Sequence, residues 1–220
     1  MDYSDTTVII PVKDEPAAGR VASDVLAKLP KASVLVVYKG DRNAIGIKFK
    51  DRRMRVVKQT APGGKGAGVT QALKLVGTPI VCLIDGDATY SVEDLKKVIK
   101  MVRGGADLAL GNRFAHLDRK SMPFFIEFGN KAITAVANLL YGMSIRDSQT
   151  GLRAMRMRSL RKLDLRERGF GIESEINIKM KKAGFRIAET PISYGVRVGA
   201  SKQMKLVDGI KLLLIDFKFL

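Results

Sequence analysis

An apolar run, Ile80-Val81-Cys82-Leu83-Ile84, breaks without transition into Asp85-Gly86-Asp87, and this junction constrains the chain more than any other segment. The run has no polar face, so it reads as a strand covered on both sides, the situation inside a parallel sheet packed between helix layers. Such sheets bind ligands outside the carboxyl ends of their strands, and Asp85 and Asp87 emerge there. Gly86 carries no side chain to hold a substrate away. Two carboxylates one residue apart repel unless a cation joins them. A hard divalent ion, Mg2+ or Mn2+, carrying a phosphorylated substrate is the economical candidate. A solvated Asp-Gly-Asp turn is the plainer alternative, and the segment alone does not choose.

Strand and helix signals alternate around this junction. Residues 6–11 form a strand stopped by Pro11; residues 19–29 place Val21, Val25, Leu26 and Leu29 at helical spacing. Strands follow at 33–38 and 55–57, then a helix at 66–76. Ser91 reads as the N-cap of a helix, with Asp94 three residues on and Leu95, Val98, Ile99 and Val102 as its buried stripe. Residues 107–110 are a further strand. Repeated β-α-β alternation predicts an α/β fold with a doubly wound, mostly parallel sheet. Beyond it the spacing predicts a long helix over 124–141, a short strand at 151–155, a helix at 172–183, a strand at 186–191 and an apolar-rich helix over 205–220.

Composition narrows the chemistry. With 220 residues the chain is expected to form one core, and no apolar run approaches the ~20 residues of a membrane span. The N-terminal Met1-Asp2-Tyr3-Ser4-Asp5 is acidic and unlike a signal peptide. One cysteine, Cys82, excludes an internal disulfide and reads as core packing. One histidine, His116, in a polar loop-like stretch, excludes a Cys/His zinc cluster. Against 22 acidic residues stand 39 basic ones, a net charge of +17, so the partners are anions: nucleic acid, anionic membrane or phosphorylated substrate.

Other clusters accompany the acidic pair. Pro11-Val12-Lys13-Asp14-Glu15 ends the first strand, as either a ligand-bordering loop or a solvated one. Gly63-Gly64-Lys65-Gly66 enters a helix, where backbone amides and a lysine suit a phosphate. It lacks the Walker A pattern, and a flexible turn fits equally well. Gly111-Asn112-Arg113, the run from Asp147 to Arg153, and Arg197-Val198-Gly199-Ala200-Ser201-Lys202 set basic residues beside Gly, Ser or Asn, as anion-holding loops do.

In this order, together with Glu173 and Glu189-Thr190-Pro191-Ile192, these motifs resemble family 2 glycosyltransferases, most closely the dolichyl- and polyprenyl-phosphate mannose and glucose synthases, over roughly residues 6–205. The resemblance implies a GT-A fold with a Rossmann-like nucleotide-binding half. A nucleotide-sugar half (1–112), an acceptor half (113–204) and a C-terminal amphipathic helix (205–220) would make one catalytic domain. It implies a metal at Asp85 and Asp87, and a donor bordered by Pro11, Val12, Asp14, Glu15, Lys39, Lys65, Asp85, Gly86 and Asp87. Arg113, Lys131, Arg153, Arg197, Ser201 and Lys202 would meet acceptor phosphate or donor diphosphate. Asp87, Asp147 and Arg113 would serve catalysis, with Asp147 and Glu173 as site acids. Tyr38-Lys39-Gly40-Asp41 stands where many relatives carry two aspartates, and Ile126-Glu127 where many carry an arginine. Thr89 stands where mannose-type relatives can offer glutamine.

The function expected is inverting transfer of a hexose from a GDP-mannose- or UDP-glucose-type donor to a polyprenyl phosphate, by a protein peripheral on the cytoplasmic face of a membrane. Its C-terminal helix would lie on the anionic leaflet or pack on the domain. A soluble phosphorylated acceptor is the alternative within the enzyme class. From another class comes a non-catalytic basic module for membrane or nucleic acid, with nucleic acid the less expected partner.

Overall fold

The computed structural model describes residues 1–197 and 214–219. In chain order the elements are β1 (Thr6–Lys13), α1 (Ala18–Lys28), β2 (Ser33–Lys39), β3 (Met54–Lys58), α2 (Lys65–Leu73), β4 (Ile80–Leu83), α3 (Val92–Arg103), β5 (Leu108–Leu117), α4 (Phe124–Tyr141), β6 (Arg153–Arg156), α5 (Met157–Leu160), α6 (Ile172–Lys182) and β7 (Ile187–Tyr194). The sheet order is β3-β2-β1-β4-β6-β5-β7. It is mixed: β6 runs antiparallel to both β4 and β5, and every other pairing is parallel.

Alternation along each strand supplies two cores. Val8, Ile10, Val34, Val36, Cys82 and Ile84 face α1 and α3, with Val25, Leu95 and Ile99 opposite them. Ile9, Leu35, Val37, Val81 and Leu83 face the other layer, where Val69 of α2, Ala137 of α4 and Ile176 of α6 pack. The expected buried strand is therefore apolar on both faces because it separates two helix layers. Cys82 is fully buried, and burial pushes its thiol up, as a packing residue requires.

Ser91 caps α3 as its sequence predicts: its Oγ accepts from the Asp94 amide at 3.1 Å and donates to Asp94 Oδ2 at 2.8 Å. The same carboxylate accepts from the Ser193 amide at 3.1 Å, joining α3 to β7. Two expectations change. His116 lies in β5, not a loop, because β5 continues beyond residue 110 alongside an extended β7, with a register shift between Asn112 and His116. Of the helix expected over 205–220, residues 205–213 and 220 lie outside the described residues. Residues 214–218 are helical and packed: Asp216 is buried, and a Cβ on Gly171 would fall 2.2 Å from Ile215 Cδ1.

Candidate active site

Strand order reverses at β1: the next strand, β2, pairs parallel on one side and β4 parallel on the other, leaving a crevice at their carboxyl ends. β1 delivers Asp14 and Glu15 to this crevice and β4 delivers Asp85 and Asp87. Gly86 is required between them, since a Cβ there would lie 2.3 Å from Val12 Cγ1. This contact gives Val12 a packing role beside the acidic pair.

Each aspartate meets a cation of the chain itself. Lys65 Nζ lies 2.5 Å from Asp85 Oδ1 and 2.7 Å from Glu173 Oε1. Burial works against charge on Asp85, but Lys65 overrides it and holds the carboxyl below its ordinary range. Burial likewise opposes the Lys65 ammonium, and Asp85 and Glu173 outweigh it. Asp87 behaves oppositely: burial, then the neighbouring Asp85, push its carboxyl up. Asp87 Oδ1 accepts from the Thr89 amide at 3.2 Å and the Thr89 hydroxyl at 2.7 Å, so Thr89 orients the aspartate. On the other oxygen, Arg197 Nη1 stands 3.7 Å away while Nη2 of the same guanidinium binds Glu15 Oε2 at 2.6 Å.

The glycine loop before α2 departs from the expected phosphate cradle. The amides of Gly64 and Ala67 donate to the Arg168 carbonyl at 2.7 and 3.1 Å, and that of Gly66 to the Gly169 carbonyl at 3.0 Å. These three amides are taken by protein, and the glycines are there for close approach: a Cβ on Gly66 would fall 2.4 Å from the Glu167 carbonyl oxygen. What the loop brings to the crevice is Lys65. At the end of β2, Lys39 Nζ donates to the Gly63 carbonyl at 2.6 Å, and Asp14 Oδ1 accepts from the Asp41 amide at 3.0 Å over Gly40. Pro11 lies inside β1, paired with Val37, rather than after the strand.

Among the basic residues the structure separates three situations. Arg113 and Asp147 form a buried two-pronged pair, Nε to Oδ2 at 2.7 Å and Nη2 to Oδ1 at 2.8 Å, with the Arg113 amide also donating to Oδ2. They frame the crevice without presenting a free cation to it. Arg153 is fully buried; its guanidinium donates to the carbonyls of Thr150 at 2.6 Å and Glu173 at 3.3 Å and to Asn177 Oδ1 at 3.2 Å. That placement corrects the expectation of a phosphate contact at Arg153, which instead holds the turn from Ser148 to Gly151 against α6. Lys131 is exposed on α4, paired with Glu127 at 2.6 Å and set over the Phe114 ring. Ser201 and Lys202 lie outside the described residues.

Residue-level reading of the sequence missed Tyr90. Its buried hydroxyl accepts from the Gly151 amide at 2.8 Å, holding Gly151 where a Cβ would meet Asp85 Oδ2 at 2.1 Å. The available signal was only its position, three residues beyond Asp87. Among the described residues no three His, Cys, Asp or Glu side chains converge as a metal cage. The donor set nevertheless fits a divalent ion: two hard carboxylates, one raised by burial and then by its like-charged neighbour, match the one or two carboxylates plus substrate phosphates by which Mg2+ is usually bound.

Known proteins share this fold. The structure superposes on glucosyl-3-phosphoglycerate synthase of Mycobacterium tuberculosis, in complex with Mn2+, UDP-glucose and phosphoglyceric acid, with a TM-score of 0.75 at 16% identity over 97% of this chain and 79% of that one. The fold is thus that of the GT-A glycosyltransferases. Residues 7–164 match the sequence model of Glycosyl transferase family 2, and the chain belongs to that family. A dolichyl-phosphate hexose transferase of Haloferax volcanii is 29% identical over 201 residues, 91% of this chain and 87% of the relative. Glycosyltransferase AglJ of the same organism is 31% identical over 171 residues, 77% of this chain, which spans 56% of AglJ.

Proposed function

We propose that this chain is an inverting hexosyltransferase, dependent on Mg2+ or Mn2+, that moves a hexose from a nucleotide sugar to a polyprenyl phosphate at the cytoplasmic face of a membrane. The observation that carries the reading is the set Asp85, Asp87, Lys65, Glu15 and Arg197 in the crevice between the ends of β1 and β4. Asp85 and Asp87 would hold the divalent ion, which when bound would neutralise charge on the donor diphosphate. Lys65, beside Asp85, and Arg197, beside Asp87, supply fixed positive charge as the nucleoside diphosphate departs. Thr89 fixes the rotamer of Asp87, and Gly86 lets the donor approach the strand end. Asp14, Glu15 and Lys39 border the nucleoside side of the crevice.

The acceptor chemistry suits the residues present. A phosphate monoester is anionic near neutral pH and needs little help from a general base, consistent with a chain whose single histidine is exposed on β5. Attack from the face opposite the diphosphate inverts the anomeric carbon. Lys131, Ser201 and Lys202 are the proposed acceptor-side cations and donors, with Arg197 kept on the diphosphate side beside Asp87; Arg113 and Asp147 support the site as a rigid pair. The named activity of the dolichyl-phosphate relative favours a polyprenyl acceptor.

Membrane contact is supported by α4. Phe124, Phe125 and Phe128 are 69%, 60% and 66% exposed in its first turns, and the Phe124 and Phe128 rings stack 6.5 Å apart. Exposed Arg119, Lys120 and Lys131 surround them in sequence, the mixture of apolar and cationic groups that an anionic leaflet accepts. Among the described residues no helix is long and apolar enough to cross a membrane.

The test is transfer from labelled GDP-mannose and UDP-glucose to a short-chain polyprenyl phosphate and, in parallel, to 3-phosphoglycerate, with Mn2+ or with EDTA. Metal-dependent product on the polyprenyl phosphate is expected. Product on 3-phosphoglycerate alone would establish a soluble acceptor. Absence of transfer and of donor hydrolysis, with steeply salt-dependent nucleic-acid binding, would overturn the enzymatic reading.

A further inference from the structure

We infer that Glu173 is the positioning residue that allows Lys65 and a divalent cation to occupy the crevice together. The inference rests on the proposed metal site at Asp85 and Asp87, and it concerns a residue of α6, in the same helix layer as Lys65 of α2. Lys65 Nζ sits between two carboxylates, 2.5 Å from Asp85 Oδ1 and 2.7 Å from Glu173 Oε1, with its side chain only 15% exposed. Asp85 therefore has two claims on it. With Asp85 as its one partner, Lys65 would compete with the ion for that carboxylate, and two adjacent cations in a partly dry site repel strongly.

Glu173 removes the conflict. It lies in the first turn of α6 with its side chain 5% exposed, so its position does not depend on solvent or on the donor. Arg153, fully buried behind it, donates to the Glu173 main-chain carbonyl at 3.3 Å and fixes that turn. Glu173 spends one carboxylate oxygen on Lys65, while Oε2 is buried without a hydrogen-bond partner. An unsatisfied buried carboxylate oxygen is costly. It persists here because the lysine beside it supplies the compensating charge. When the ion takes Asp85, Lys65 stays charged and in place on Glu173, ready to meet the diphosphate.

The test is Mn2+ binding, followed by electron paramagnetic resonance, with Mn2+ alone and with added UDP or GDP. E173Q keeps the shape and removes the charge, leaving Lys65 to lean on Asp85. It should weaken Mn2+ binding about tenfold, the size expected within one ion-pair network. K65M frees Asp85 and should bind Mn2+ at least as tightly as the wild type. In the K65M background E173Q should change Mn2+ binding far less than tenfold, because its effect runs through the lysine. A folded E173Q that binds Mn2+ like the wild type overturns the inference, as does an equal tenfold loss with and without Lys65. If E173Q does not fold, K65M decides: weaker binding than wild type overturns it. A wild type that binds no Mn2+ in either condition overturns the metal site itself and this inference with it.

Discussion

Asp85 and Asp87 differ in protonation tendency although one residue separates them: burial opposes charge on both, Lys65 overrides it at Asp85, and the Asp85 charge pushes Asp87 up further. Lys65 touches Asp85, whereas Asp87 has a threonine and a guanidinium 3.7 Å away. Replacing Asp87 by Asn should lower metal-dependent transfer at least about 10³-fold, by removing several kcal/mol of charge stabilisation; kcat with saturating Mn2+ measures it, and full activity would refute the mechanism. Gly151 makes a subtler case. A Cβ there would sit 2.1 Å from Asp85 Oδ2, so Gly151→Ala should displace Asp85 and raise the Mn2+ concentration needed for half-maximal transfer, with Tm reduced only slightly. At this scale the place of the acidic pair at the end of a strand buried on both faces was legible, while the segment alone left a solvated turn open as its role. The role of the glycine loop was not, because amide donors look alike in sequence whether they await a phosphate or are taken by the carbonyls of Arg168 and Gly169.

Helices were the legible elements: α4 runs from Phe124 to Tyr141 as its periodicity predicts, and the Ser91 cap forms as read. β6 was not legible in its setting. A four-residue strand containing Arg153 and Arg156 carries no sign that it inserts antiparallel between β4 and β5, and its fully buried arginine contradicts ordinary burial preferences. The Thr150 and Glu173 carbonyls and Asn177 accept from its two terminal nitrogens, while its Nε is buried without a hydrogen-bond partner. α4 also carries a prediction of its own. F124S/F128S should lose co-sedimentation with phosphatidylglycerol-containing vesicles, while transfer to a water-soluble short-chain acceptor stays within about twofold of wild type, since surface changes of this kind cost little stability. Unchanged vesicle binding would remove α4 from the membrane contact.

Across the whole molecule, the last described residues close onto the two helices that flank the site. Tyr141 of α4 donates to the Asp216 carbonyl at 2.5 Å, Lys182 of α6 to the Phe219 carbonyl at 2.7 Å, and Lys218 pairs with Glu167 at 2.5 Å. Burial pushes the Asp216 carboxyl up to about 6 from an ordinary 3.8. The folded chain thus binds this proton more tightly than the unfolded chain, and stability is lost as pH rises from about 4 through about 6. Asp216→Asn should therefore raise Tm at about pH 8 and leave it nearly unchanged at about pH 4; an equal effect at both, read by scanning fluorimetry, would contradict the assignment. By itself the sequence determined the α/β class, the order of most elements, the excess of positive charge and the acidic pair at a strand end. These follow from local periodicity, from charge and from the abruptness of one boundary. Tertiary structure decided which cations answer which carboxylates, that Arg153 is interior, and that β6 brings Gly151 against Asp85. Those pairings join residues far apart in the chain, and their energies depend on distance and burial, which no local pattern records.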